Sequence, residues 1–526
     1  MKRQLAKSVA LMAMAVLLAG GILLGPAADA APDRGTTFVG LVRNHPQTLD
    51  PAIGSDNPHL KFYIAAYEPL IDYKPGSVAV KDLTGVLATS WTISSDATTY
   101  TFKLRPGVRF HDGATLTPDD VKLSFERMRK INRGNAWALA DLKDVQVVDR
   151  QTVRITLNRP SAAFLQAVPL VYIVSSKAVR DNERDGDLAQ DWLRTRAAGT
   201  GPYKFDEWQR DQQLILSRFD QYWGGWSGRH FDRLVLRLVA DQSTQRQIQE
   251  AGESDWADSV SAEDADQLAA GNKAQVHWNP STFLLWLTMD TSKPPFNDVR
   301  VRRAMRHAFD YRATANRILR GHGKIPKGYV LPMFPEHDPS IGEERRDAGK
   351  AKQLLVEAGY GQGKPLSFTA MYFAPLDWER QALEAFGAHL RQLGGEIRMD
   401  GKPFATMIAA ASSPQRPDMM FWTAGVPTGS LDSVFSQTWH SSSSHWSRYG
   451  YSNRQLDGII EAARAEPNEA KRIQLYRQAQ RILEADSPAV NAVIQDWSQV
   501  FSVRVQGFVH LPLTPAIVDY YLLSPR

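Results

Sequence analysis

The clearest hydrophobic pattern in the chain lies over residues 87–125. Tyr100, Phe102 and Leu104 alternate with Thr99, Thr101 and Lys103, the period of a strand with one face in a core and one in water. Pro106-Gly107 predicts a turn, because proline presets φ at the second turn position and glycine accepts positive φ at the third. Val108 and Phe110 read as a short returning strand, ended by Asp112-Gly113. A helix is expected next. Thr117 is its N-cap, Pro118 suits its first position, Asp119 and Asp120 sit at its positive end, and Val121, Phe125 and Met128 form its apolar stripe.

The same two periods recur along the chain. An apolar strand over 36–42 leads to Leu49-Asp50-Pro51; between 61 and 73, Tyr63, Ala66, Tyr67 and Leu70 fit one helix face. Residues 54–59 between them read as a polar, turn-rich loop. Residues 74–196 form a mixed α+β unit in which Val153, Ile155 and Leu157 alternate. A strand through Leu234, Leu236 and Leu238, a helix over 243–251 and a strand from Ser254 then give a βαβ order, the mark of a partly parallel sheet. Residues 279–289 read as a single crossing strand. Asp298 is expected to cap a helix with Val301, Ala304, Met305 and Ala308 inside, and Arg300, Arg302 and Arg303 in solvent. A second βα rhythm fills 345–485: helix 351–358 stopped by Gly359, strand 366–373, helix 378–393, strand 418–422 and a charged amphipathic helix over 464–483. The chain returns through 489–500.

Composition adds compartment and exclusions. At ordinary domain sizes 526 residues make about two to four domains, and 43% hydrophobic residues supply large cores. Lys2, Arg3 and Lys7 precede an uncharged apolar run over 9–24 and a small-x-small site, Ala28-Asp29-Ala30, which predicts an export signal cleaved after Ala30. The run is short for a membrane span. Cysteine is absent, which excludes disulfides, thiolate metal sites, a cysteine nucleophile and a lipid-bearing cysteine after Gly20-Gly21. Losing residues 1–30 removes three bases and one acid and takes the net charge from +5 to +3. No basic block interleaved with aromatics accompanies that charge, so nucleic acid is not an expected partner.

Catalytic signatures are missing: no G-x-S-x-G, no H-E-x-x-H and no complete P-loop. The glycines of Gly199-Thr200-Gly201 precede a strand, and those of 359–363 end a helix, with Pro365 after Lys364; neither cradles a phosphate. His440 and His445 flank four serines without a nearby carboxylate or thiolate, so a metal site is not expected there.

The stretch 87–125 resembles, as a string, the extracytoplasmic solute-binding proteins of peptide-type ABC importers, the family of dipeptide-, oligopeptide- and nickel-binding proteins. Leu49-Asp50-Pro51, Tyr67-Glu68-Pro69-Leu70, Gly199 to Phe205, Lys293 to Ala304 and Tyr451-Ser452-Asn453 with Leu456-Asp457 support the resemblance, which covers nearly all of the chain after residue 30. It implies an α/β, two-lobed periplasmic-binding-protein fold of type II, in the three-part version with a hinge and an inserted α+β subdomain. The first lobe would comprise 31–73, 197–282 and 497–526, the insert 74–196 and the second lobe 283–496. It further implies a periplasmic monomer without lipid anchor or cofactor, binding a peptide or peptide-like solute noncovalently for an ABC permease and its ATPase. A nickel or metal-chelate solute is the alternative, and a secreted hydrolase a third reading.

For the site, the resemblance singles out Trp422, Thr423 and Ala424, followed by Gly425, where the family's ligand-contacting Trp-Thr-Gly sequence stands. Tyr372, Trp497, Asp56 and Asn57 are further candidates. In peptide-binding relatives an aspartate follows that sequence and pairs with the peptide's amino group; here the next acid is Asp432. The expectation is therefore a peptide held differently, through Asp432, or a blocked or non-peptide solute. One consequence is testable at once. N-terminal sequencing of the protein from a periplasmic extract should begin at Ala31, and an intact Met1 on a membrane-bound product would contradict the export reading.

Overall fold

In the computed structural model, which describes residues 35–161, 163–361, 363–425, 428–443, 448–466 and 468–526, the alternating segments assemble into three main sheets. The export segment, His445 and Val426-Pro427 lie outside the described residues. The first sheet has the order Gln275–Asn279, Trp497–Phe501, Trp256–Ala257, Thr37–Val42, Arg233–Leu238, Gln213–Arg218, Tyr203–Gln209. Thr37–Val42 runs parallel to both of its neighbours, so three strands end at one edge. The second sheet has the order Gly323–Lys324, Ala489–Gln495, Leu284–Met289, Met419–Ala424, Leu366–Phe373, Gly395–Lys402, and its last three strands are mutually parallel. A third, antiparallel sheet of four strands, Ala88–Ile93, Thr99–Leu104, Thr152–Leu157 and Leu142–Asp149, belongs to the inserted unit. Each sheet has its own core. Phe38, Phe62 and Trp256 fill the first, Phe309, Phe368 and Phe421 the second, and Phe102, Phe125 and Ile155 the third.

The expected crossing strand over 279–289 is two strands in different sheets, because Pro280 cannot donate to a ladder and ends the first. The return also divides, at Asp496. Asn279 pairs with Trp497 and Leu284 with Ile494, so the two crossings lie side by side. Ser281 Oγ donates to the Gln495 carbonyl and Thr282 Oγ1 to that of Pro512, which stitches them.

Helix Pro118–Ile131 begins as the sequence predicts: Asp120 Oδ2 accepts from the Thr117 amide at 2.7 Å and its hydroxyl at 2.8 Å. Elsewhere local rules were overridden. The helix expected over 61–73 is Asn57–Ala66; Pro69 disfavours helical backbone at Glu68, and Leu70 and Ile71 pass into the insert's core. Asp56 and Asn57 are therefore its N-cap and first residue, not a loop. Val108 and Phe110 are fully buried but join no sheet; the segment makes a single bridge, Arg109 to Thr115. The helix over 464–483 is two, Arg454–Ala465 and Glu469–Asp486, since Glu466 is extended before Pro467 and Asn468 caps the second. Arg302 is buried and not a solvated charge, whereas Arg303 stays exposed as expected. They donate to the Asp486 and Ala485 carbonyls at the negative end of that helix.

Two of the recurring motifs are joints. Asp50 receives both terminal nitrogens of Arg127 at 2.6 Å, with both side chains buried, and so ties the insert's helix to the first lobe. A Cβ on Gly199 would lie 1.9 Å from the Ala66 carbonyl oxygen, and one on Gly201 2.5 Å from that of Ala65. This turn is glycine-rich because it abuts the end of helix Asn57–Ala66. Replacing Arg127 by Met leaves Asp50 charged and unpaired in the core. The expected loss is about 3–5 kcal/mol in denaturant unfolding; a loss below about 1 kcal/mol would show that the pair does not hold the joint.

Candidate solute cleft

Open α/β sheets bind ligands beyond the carboxyl ends of their parallel strands. Here two such edges face each other. In the first sheet, Val42 is followed by Arg43 and Ala257 by Asp258. Lys61, from helix Asn57–Ala66, donates its ammonium to Asp258, and both are buried. Asp258 also accepts from Gln245 Nε2 at 3.1 Å and from the Arg43 amide at 3.1 and 3.2 Å. Burial opposes ionisation of Asp258, but Lys61 and Arg43 beside it hold its carboxyl below the usual value.

The facing edge is aromatic. Met371 and Met420 are opposite each other in parallel strands and both buried. Two residues further on, on the same face, stand Phe373 and Trp422. Phe404 follows the third strand; its ring lies 6.0 Å from Phe373 and 6.5 Å from Trp422, nearly parallel to the indole. The Arg43 guanidinium reaches across to 5.8 Å from the Phe373 ring centroid. Tyr73 makes a second bridge between the edges, donating its hydroxyl to the Thr428 carbonyl at 2.7 Å. Beside the first bridge lies one buried acid, Glu379. Glu379 accepts from the Phe373 amide at 2.8 Å, and burial pushes its carboxyl up to about 8, against the pull of Arg43. Asp72 is exposed, and the surrounding protein with the nearby Asp519 shifts its carboxyl upward. Burial lifts Asp519 to about 6. Such an arrangement offers apolar area on one side and charges of both signs on the other, suited to an amphipathic, charged solute.

The sequence candidates divide. Trp422 lies in the aromatic row, while Thr423 and Ala424 complete its strand. Gly425 meets the crossing: a Cβ there would lie 2.6 Å from the Phe283 ring, whose centroid is 5.6 Å from that of Trp497. Tyr372 packs against the second-lobe core on the other sheet face, one residue out of register with the cleft. Asp56 accepts from the His59 amide and ring and caps its helix. Asp432 is already paired: Arg464 Nε donates to it at 3.2 and 3.3 Å, Tyr476 at 3.3 Å and Ser436 at 3.1 Å. His440 bonds Glu461 at 3.3 Å. Sequence reading missed Arg43, Phe373, Glu379, Asp72 and Asp519. The alternation that places 373 with 422, and the position of Arg43 directly after a strand, were the available signals.

Residues 82–446 match the family model of bacterial extracellular solute-binding proteins, family 5 (middle region). A probable D,D-dipeptide-binding periplasmic protein of Escherichia coli is 29% identical over 510 residues, covering 95% of this chain and 96% of that one. Among solved structures, NikZ of Campylobacter jejuni in complex with Ni(L-His) superposes with a TM-score of 0.84 at 21% identity, over 93% of this chain and 99% of that one. The dipeptide-binding protein of Pseudoalteromonas sp. SM9913 in complex with Met-Leu gives 0.84 at 20% identity, over 93% and 100%. The two sheets with their double crossing are thus the two-lobed type II periplasmic-binding-protein fold, and the chain belongs to the bacterial extracellular solute-binding proteins of family 5.

Proposed function

We propose that this protein is the solute-binding component of an ABC importer, capturing a peptide or peptide-like solute between its lobes and delivering it to the membrane permease and its ATPase. The observation that carries this reading is the aromatic row of Phe373, Phe404 and Trp422 facing a charged edge across a cleft spanned by two adjacent crossings. The solutes of the relatives, a D,D-dipeptide and Met-Leu, support the peptide class. The Ni(L-His) complex of NikZ keeps a metal chelate as the alternative.

In this reading 31–73, 197–282 and 497–526 form the first lobe and 283–496 the second, with 74–196 inserted. Every strand of the seven-stranded sheet falls in the former and every strand of the six-stranded sheet in the latter, which supports the division. The protein is exported by cleavage after Ala30, works as a free monomer in the periplasm and does no chemistry on its solute. Trp422, Gly425 and Trp497 border the solute; Tyr372, Asp56 and Asp432 have structural roles.

Capture from a tetrapeptide library, with mass spectrometry of what is retained, tests the proposal. Retained peptides should raise the melting temperature by mass action, equivalent to about 2.7 kcal/mol at a hundredfold excess over Kd, and be recovered intact. Trp422→Ala should weaken capture roughly thirtyfold. Retention of no peptide without any thermal shift, or catalytic consumption of the peptides by rigorously purified protein, would refute it.

A further inference from the structure

Arg43 stands at the cleft edge with two of its guanidinium nitrogens unused. Its Nε and Nη1 are shielded from solvent and have no hydrogen-bond partner among the described residues. Buried donors of this kind are rare in native proteins, and each one calls for a partner. The neighbouring acids cannot serve. Asp258 is committed to Lys61, to Gln245 and to the backbone amide of Arg43 itself. Glu379, from the opposite lobe, is engaged by the Phe373 amide, and burial disfavours its charged form. The remaining contact is the face of the Phe373 ring, which attracts a cation but accepts no hydrogen bond of carboxylate strength.

We infer that Arg43 is a specificity-determining residue that binds a carboxylate of the solute, so that the protein selects peptide-like solutes carrying at least one free carboxylate. A guanidinium is permanently charged, planar and matched to the carboxylate's two oxygens. Its position on the first lobe, reaching to a second-lobe ring, places the bound carboxylate where both lobes meet it. The committed Lys61–Asp258 pair beneath leaves Arg43 as the cation free to answer that charge.

This inference rests on the capture reading above, and the test separates the two. Two matched tetrapeptide libraries are offered to the full mature protein. One carries terminal carboxylates with Asp and Glu side chains; in the other all of these are replaced by carboxamide, Asn and Gln. Wild type should retain the carboxylate library about ten- to a hundredfold better. Arg43→Gln should abolish that preference, and Arg43→Lys should restore part of it. Equal retention of both libraries by wild type overturns the carboxylate assignment but leaves capture intact. An undiminished preference in Arg43→Gln overturns the role of Arg43. Retention of neither library overturns both readings. Should Arg43→Gln fail to fold, Arg43→Lys decides in its place: a reduced preference supports the role of Arg43, and a preference equal to wild type overturns it.

Discussion

The double crossing is the constraint on which the rest depends. Gln275–Asn279 pairs with Trp497–Phe501 in one sheet, and Leu284–Met289 with Ala489–Gln495 in the other, so the links between the lobes run as one narrow ribbon. Relative motion is thereby confined to bending about that ribbon, as in hinged proteins generally. The lobes touch again beside it, where the Trp278 and His322 rings stack at 3.4 Å and Asp266 accepts from Arg320 at 3.0 Å. Because the parallel strands of each sheet end on the cleft side, bending brings the two binding edges together or apart.

Closure needs a solute that prefers the closed form, since a ligand shifts a conformational equilibrium only through differential affinity. In the proposed reading the chemistry of the edges supplies that difference. Phe373, Phe404 and Trp422 offer area from the second lobe, and Arg43 offers charge from the first. A solute that satisfies both contacts both lobes. The insert is tied to the first lobe through the buried pair of Arg127 and Asp50, while Glu68, which accepts from Thr200, Tyr222 and Trp223, joins two segments of the first lobe to each other.

Much of the fold was legible because its signals are local. The cap at Thr117, the alternation through Phe102 and Leu104, and the stop at Gly359 follow from residues within one turn or strand of each other. The errors arose where distant partners decide. Nothing near Arg302 announces the helix end that it grips, and nothing near Asp432 announces Arg464. At the candidate cleft, Trp422 was singled out through resemblance, and Phe373 was accessible through a strand period that went unused. Arg43 and Asp519 gain meaning only from what folding sets opposite them.

Small-angle scattering with and without a saturating captured solute tests the central claim most directly. Closure about the ribbon predicts a smaller radius of gyration in the presence of solute, reverting when the solute is removed. A radius unchanged at demonstrated saturation would contradict the account of two edges that close on their ligand.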